Sequence, residues 1–289
     1  MVKTKSQLHR AFRKYGLETH KLSKILKKSS VDELISKYQE GRSKASLARE
    51  YGVTDWTVGN ILKAHRIPTM HYNERRSAAG TGNNYTYFDN YSNEGCAYFY
   101  GLLLADGNLH KGTLQIGLHR QDRYILETLK QELNLSTVNV NDHDLLVRRT
   151  GNVSQVSSLR VMDLRIVESL RRLGFSERKS GKEKLPEVFK FNSHFWRGMV
   201  DGDGTIGVQG QRVTVGLVGS KELCEGFLNF AKTFSPNIKT KVRKVAGTVV
   251  YTVRITKKST CIAILTAMYS GSTFHLTRKH ERFKRALDI

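Results

Sequence analysis

The chain has 289 residues, is 39% hydrophobic, and sets 48 Lys and Arg against 26 Asp and Glu, a net charge of +22. That composition supports one large core or two domains and excludes general disorder, while so much positive charge points to a polyanionic partner, because each neutralised phosphate releases counterions. Cys96, Cys224 and Cys261 are far apart and form no CxxC pair, which argues against a disulfide framework or a cysteine zinc site and fits a reducing, intracellular, cytoplasmic setting. The apolar run Tyr98 to Ala105, even with Gly95, Cys96 and Ala97 before it, is far short of the roughly 20 residues a membrane span needs.

Residues 1–30 hold nine basic groups and one acid, Glu18, with Leu8, Phe12, Tyr15, Leu22, Ile25 and Leu26 at helical spacing. This reads as a basic helical arm on nucleic acid; an organellar presequence is equally acid-poor but Arg-rich, whereas this stretch is Lys-rich. Residues 1–66 form a first domain, made of this arm and a helix-turn-helix. In SLAREYGVTDWTVGNILKAHRI, small Ala48 lets two helices cross, Gly52 takes a turn at positive φ, and Val58 and Ile61 pack the second helix back. Thr54 is its predicted N-cap, and Thr54, Asp55, Trp56, Thr57, Asn60 and Lys63 are the candidate DNA contacts, the last five as outward-facing side chains. An ordinary helical hairpin would use the same small residues. Residues 67–92, with Pro68, Gly80 and Gly82, read as a linker.

From there the sequence repeats. YFYGLLLADG (98–107) and FWRGMVDGDG (195–204) are each followed by a strand carrying a glycine, Gly117 or Gly216, then a helical run, two strand-like runs, a second helical run and a basic stretch. Two αββαββα units, 93–190 and 191–289, account for this α+β part, in which the strand-like runs include 145–149 and 239–245. Strand residues alternate, so that one face is apolar and the other presents Gln115 and His119 in the first repeat and Arg212 and Thr214 in the second. Arg148 in the first repeat, and Lys239, Lys241, Arg243, Lys244 and Arg254 in the second, extend this basic face, which is read as a nucleic-acid platform; a solvated sheet face is the plainer alternative.

Both oily segments end in Asp-Gly, at Asp106 and Asp203, and carry a glycine five residues earlier, Gly101 and Gly198. Glycines at matching places let two helix backbones pack about a pseudo-twofold axis, bringing both carboxylates to the helix C-termini, where the helix dipole favours a cation. Adjacent carboxylates repel unless a cation joins them. Mg²⁺ suits such a site because it takes few protein oxygens and completes its shell with water and substrate phosphate, which supports phosphodiester hydrolysis. DGDGTIGVQGQR departs from a calcium loop, having Ile206 and Arg212 where that loop needs Gly and Glu. A mere turn is the other alternative.

FYGLLLADG and WRGMVDGDG resemble the paired motif of the LAGLIDADG homing endonucleases. The resemblance covers about 200 residues. It implies a saddle of two antiparallel four-stranded sheets, a monomer that cuts both strands of long pseudo-palindromic double-stranded DNA, and divalent metal bound by Asp106 and Asp203 with help from the carbonyls of Ala105 and Gly202. It further implies Mg²⁺ or Mn²⁺ as cofactor, with Ca²⁺ binding without supporting cleavage, and an active-site Lys in each half, here Lys179 and Lys279, with Lys182, Lys184 and Arg278 as near rivals. Leu104 stands where the first motif's earlier acid would be, while Asp201 keeps it; Tyr100 and Arg197 replace a small Ala. The absence of Cys or Ser at the start and of His-Asn at the end argues against an intein. The expected activity is a Mg²⁺-dependent endodeoxyribonuclease from a mobile element, bacterial or phage-encoded, an organellar one being the alternative. Its rivals are a non-cleaving DNA-binding regulator and an RNA-binding intron maturase.

Overall fold

The computed structural model describes residues 28–40, 42–67, 82–147, 151–177, 179 and 181–289. The basic arm up to residue 27, linker residues 68–81 and the candidate contact Arg148 lie outside the described residues. The chain divides into two compact units, Met1–Thr81 and Gly82–Ile289.

In the first unit, α1 (Lys28–Gln39), α2 (Lys44–Glu50) and α3 (Asp55–Ala64) surround a small core of Leu34, Tyr38, Leu47, Ala48, Val58, Ile61 and Leu62. The predicted helix-turn-helix is formed. Gly52 turns at φ +66°, a backbone conformation glycine adopts without a Cβ penalty. Ser43 caps α2 by accepting from the Ser46 N–H (3.0 Å), and Thr54 caps α3 by accepting from the Thr57 N–H (3.1 Å), each satisfying one orphan donor of a helix start.

The second unit consists of two copies of one unit with two four-stranded antiparallel sheets. In the first copy α4 (Glu94–Asp106) leads into β1 (Gly107–His110), β2 (Thr113–His119), α5 (Arg123–Glu132), β3 (Asn141–Val147), β4 (Asn152–Val161) and α6 (Leu164–Arg172). In the second, α7 (Ser193–Gly202) leads into β5 (Gly204–Gln209), β6 (Arg212–Gly219), α8 (Lys221–Lys232), β7 (Arg243–Lys244), β8 (Tyr251–Ile255) and α9 (Lys258–Tyr269). The sheet orders correspond, β1-β2-β4-β3 and β5-β6-β8-β7. Register sets the faces: Leu114, Ile116 and Leu118 are buried with Leu159 and Val161, and Val213, Val215 and Leu217 with Val253 and Ile255.

Four stretches differ from the sequence reading, the first being the strand read at 145–149, which instead begins at Asn141 and runs to Val147. Of residues 239–245, only Arg243 and Lys244 join the ladder with β8, the Val245 N–H closing the hairpin on the Val250 carbonyl (3.0 Å); before them no backbone ladder forms, and the Thr240 hydroxyl donates to the Arg254 carbonyl instead (3.3 Å). The basic stretch after α9 contains a helix, α10 (Thr277–Leu287), whose buried side is Lys279, Phe283 and Ala286 at i, i+4 and i+7. Residues 82–92, read as the end of the linker, pack on the first repeat, with Tyr87 and Phe88 buried and Asp89 paired to Arg172.

Candidate active site

The site rests on the crossing of α4 and α7. Every residue of α4 from Gly95 to Leu104 is buried, as expected for a helix without a polar stripe. A Cβ on Gly101 would collide with the Phe195 carbonyl oxygen, and one on Gly198 with the Tyr98 carbonyl oxygen. This reciprocal contact lets the two backbones touch. The helix ends meet as well, since a Cβ on Gly202 would lie 2.7 Å from Asp106 Oδ2.

Asp106 and Asp203 therefore emerge beside each other at the two helix C-termini. Both residues are exposed, but the atoms packed behind their carboxylates strip part of the hydration. This desolvation, with the Asp203 charge next, pushes Asp106 up to about 6, and desolvation likewise raises Asp203.

Both candidate lysines are brought to this point. Lys179 is 8% exposed and Lys279 3%. Lys179 Nζ donates to the carbonyls of Leu104 (2.6 Å) and Ala105 (2.9 Å), and Lys279 Nζ to those of Val200 (3.0 Å) and Gly204 (2.5 Å). Leu104, Ala105 and Val200 belong to the last turns of their helices, where carbonyls have acceptor capacity to spare and a cation is favoured. Burial lowers both amines, Lys279 to about 8. The Ala105 carbonyl, a candidate metal ligand, thus already accepts from Lys179, and Gly202 borders Asp106. Of the near rivals, Arg278 reaches across the repeats to the buried Asp122 (3.0 Å) and its charge bears on Asp106.

Sequence reasoning missed three groups. Asp201 is fully buried and accepts from the Tyr98 hydroxyl (2.9 Å), the Tyr269 hydroxyl (2.6 Å) and the Leu276 N–H (2.7 Å), tying α4, α9 and the approach to α10 together; burial pushes it up to about 6. Arg197, also buried, donates to Glu94 (2.6 Å) and to the carbonyls of Phe274 (2.6 Å) and Met268 (2.5 Å). Glu183 is buried, accepts from the Gly181 N–H (2.9 Å), and keeps its other oxygen without a partner among the described residues; its charge opposes ionisation of Asp203. Arg197 was visible as a departure from the motif and Asp201 as the earlier acid that the second motif keeps, but their partners lie some 70 to 100 residues away.

The candidate sheet contacts Gln115, His119, Arg212, Thr214, Lys241, Arg243 and Arg254 all stand clear of the core, Gln115 and Thr214 half-buried and the others exposed. In the first unit Trp56 is 59% exposed, and Asp55 and Lys63 are exposed too. Thr57 is a correction: it is 7% exposed, because its hydroxyl turns inward to the Thr54 hydroxyl (2.8 Å) beside the N-cap. Asn60 is half-buried.

Residues 190–265 match the LAGLIDADG-like domain family, and residues 33–66 match the CENP-B N-terminal DNA-binding domain. The first match falls on the second of the two repeats of this α+β chain, and the second match on the helical first unit. No curated protein matches the sequence. Among solved structures, the homing endonuclease I-WcaI bound to its DNA recognition sequence is 11% identical at a TM-score of 0.47, over 65% of this chain and 84% of that one. The LAGLIDADG homing endonuclease I-GzeII in complex with its DNA target is 13% identical at 0.45, over 68% and 89%. The N-terminal LAGLIDADG domain of DUF199/WhiA is 14% identical at 0.40, over 61% and 82%. No helix among the described residues is long and apolar enough to cross a membrane.

Proposed function

We propose that the chain is a site-specific double-strand DNA endonuclease of the homing type, a monomer whose two repeats each serve one strand of a long pseudo-palindromic site. The observation that carries this reading is the meeting of two exposed carboxylates at the ends of helices in backbone contact, each helix end capped by a buried lysine. A scaffold that only bound DNA would have no need of this costly cluster of desolvated charge.

The donor set fits a hard divalent cation. Among the described residues no group of three or more His, Cys, Asp and Glu gathers as a metal cage, so a cation held by Asp106, Asp203 and the neighbouring carbonyls of Ala105 and Gly202 would complete its shell with water and phosphate, as Mg²⁺ or Mn²⁺ does. When bound, such a cation makes a water nucleophilic at neutral pH and neutralises the leaving oxygen. The protein's own part is positional and electrostatic. Lys179 and Lys279, fixed by carbonyls on either side, place positive charge beside the phosphate under attack and stabilise the charge that develops on its oxygens. The polar sheet faces align the duplex, and the helix-turn-helix unit, joined through the linker, adds a second hold by raising its effective concentration on the same DNA.

Incubation of the full chain and Mg²⁺ with a randomised duplex pool, followed by sequencing of the new ends, tests this. Recovered ends are expected to define one long site with breaks in both strands. Recovery of bound but uncut duplex alone would leave a non-cleaving regulator, and preferential retention of structured RNA would favour a maturase.

A further inference from the structure

The two repeats share a fold but not a charge. Residues 93–190 hold 15 basic and 12 acidic side chains, a net of +3, whereas residues 191–289 hold 16 and 6, a net of +10. The structure shows where the difference falls. On the open face of the first sheet the register places Asn108, Gln115, Ser158 and Asn141 with the histidines His110, His119 and His143. Arg160 is the one Lys or Arg on that face among the described residues. Nearby Arg120 and Arg123 are taken up by Asp142, Asp144 and Glu127.

The second sheet is different. Arg212, Arg254, Arg282 and Arg285 line one hollow with Gln209 and Thr214, and Lys239, Lys241 and Arg243 line the next, which shares Arg254. No acid lines either hollow, and none of these seven cations forms an ion pair with a described residue.

The helix α10 makes much of this contrast. Its inner side fixes it to the core through Lys279, Phe283 and Ala286, and its outer side sends Arg282 and Arg285 over β5 and β6. Arg282 Nη1 donates to the Ile206 carbonyl (2.9 Å), so this guanidinium is held in place and keeps its remaining donors for a phosphate. The matching stretch of the first repeat, residues 176–186, has no helix among its described residues.

We infer that the DNA interface is asymmetric: the second sheet and α10 anchor the sugar-phosphate backbone and carry most of the electrostatic binding, while the first sheet contacts its half of the duplex through neutral polar side chains. This rests on the endonuclease reading only in so far as that reading requires duplex DNA on the sheets. Affinity and its salt dependence then reside in the second repeat, and the duplex half on that side is the half held after a break.

The test uses the full chain and a 30-base-pair duplex of arbitrary sequence, for which binding is almost entirely electrostatic. Each lost phosphate contact lowers the slope of log affinity against log salt by about 0.9. The triple variant Arg212→Gln, Arg254→Gln, Arg285→Gln is expected to lower that slope by about 2 to 3, and the triple variant His110→Gln, His119→Gln, Arg160→Gln by about 1 or less. Unchanged thermal unfolding in both confirms that only the surface has changed. Equal losses in the two variants, or no loss in the first, overturn the asymmetry while leaving DNA binding intact. A wild type without measurable duplex affinity overturns the endonuclease reading and the anchor with it.

Discussion

Asp201 stands where the first repeat has Leu104, so Asp201→Leu makes the two motif helices alike at that position. In the wild type Oδ2 accepts from the Tyr98 hydroxyl and the Leu276 N–H, and Oδ1 from the Tyr269 hydroxyl. Leucine leaves three buried donors unpaired, at about 1–3 kcal/mol each. Asparagine spares most of that cost, since its carbonyl oxygen can serve Tyr98 and Leu276 while its amide donates to the Tyr269 oxygen. The leucine variant should therefore be at least about 3 kcal/mol less stable than the asparagine variant at pH 7, or about 6 °C or more in Tm. Urea unfolding followed through the buried Trp196, in a Trp56→Phe background, measures the difference. The two variants also separate the carboxylate's charge from its bonds. Because burial raises Asp201 from 3.8 to about 6, the folded chain holds this proton more tightly than the unfolded one. The group's stabilisation is complete below pH 3.8 and lost as pH rises through 6, a change of about 3 kcal/mol. Asp106 and Asp203, also raised, slope the same way in both proteins, so the signal is the part of the slope that Asp201→Asn removes. A leucine variant within about 1 kcal/mol of the asparagine variant, or a wild-type pH slope in the latter, refutes the reasoning.

Further outcomes follow from the same contacts. Gly198→Ala and Gly101→Ala drive a methyl into a facing backbone carbonyl and should each cost about 1–3 kcal/mol or more, read by chemical denaturation. Lys279→Met is expected to slow cleavage about 10²-fold with duplex affinity within about threefold, and Lys279→Arg should not restore it, because a planar guanidinium cannot take the place of a compact ammonium between the Val200 and Gly204 carbonyls; single-turnover rates beside gel-shift affinities decide this. Trp56→Ala should leave thermal unfolding within about 0.5 kcal/mol of wild type and weaken duplex binding, since the ring is exposed on α3, the second helix of the helix-turn-helix. Replacement of Mg²⁺ by Ca²⁺ should preserve binding and stop cutting, as a gel shift and a cleavage lane from one reaction would show.

Much of this architecture was legible because it depends on local spacing. Gly101 and Gly198 declared the helix crossing, since a glycine in an apolar helix is used where another backbone comes close, and alternation around Ile116 and Val215 gave the sheet faces. The helix-turn-helix was readable from Gly52 and Thr54, whose roles are settled within a few residues. What escaped depends on distant partners or on a residue in an unusual place. Arg197 in an apolar segment gave no sign of its link to Glu94, and Thr57 looked outward by helical phase while its hydroxyl turned in to the cap. Helix α10 was hidden for a related reason: its buried stripe begins with a charged Lys279, so the pattern that marks an amphipathic helix was incomplete.

Whether Asp106 and Asp203 drive strand cleavage is read most directly from cutting of a supercoiled plasmid carrying the selected site, in Mg²⁺, by wild type, Asp106→Asn and Asp203→Asn, with affinity for the same site measured alongside. Wild type is expected to give linear product and either variant a loss of about 10³-fold or more, while affinity stays close to wild type. Undiminished cutting by either variant, or a wild type that binds the site and never opens the plasmid, would contradict that role.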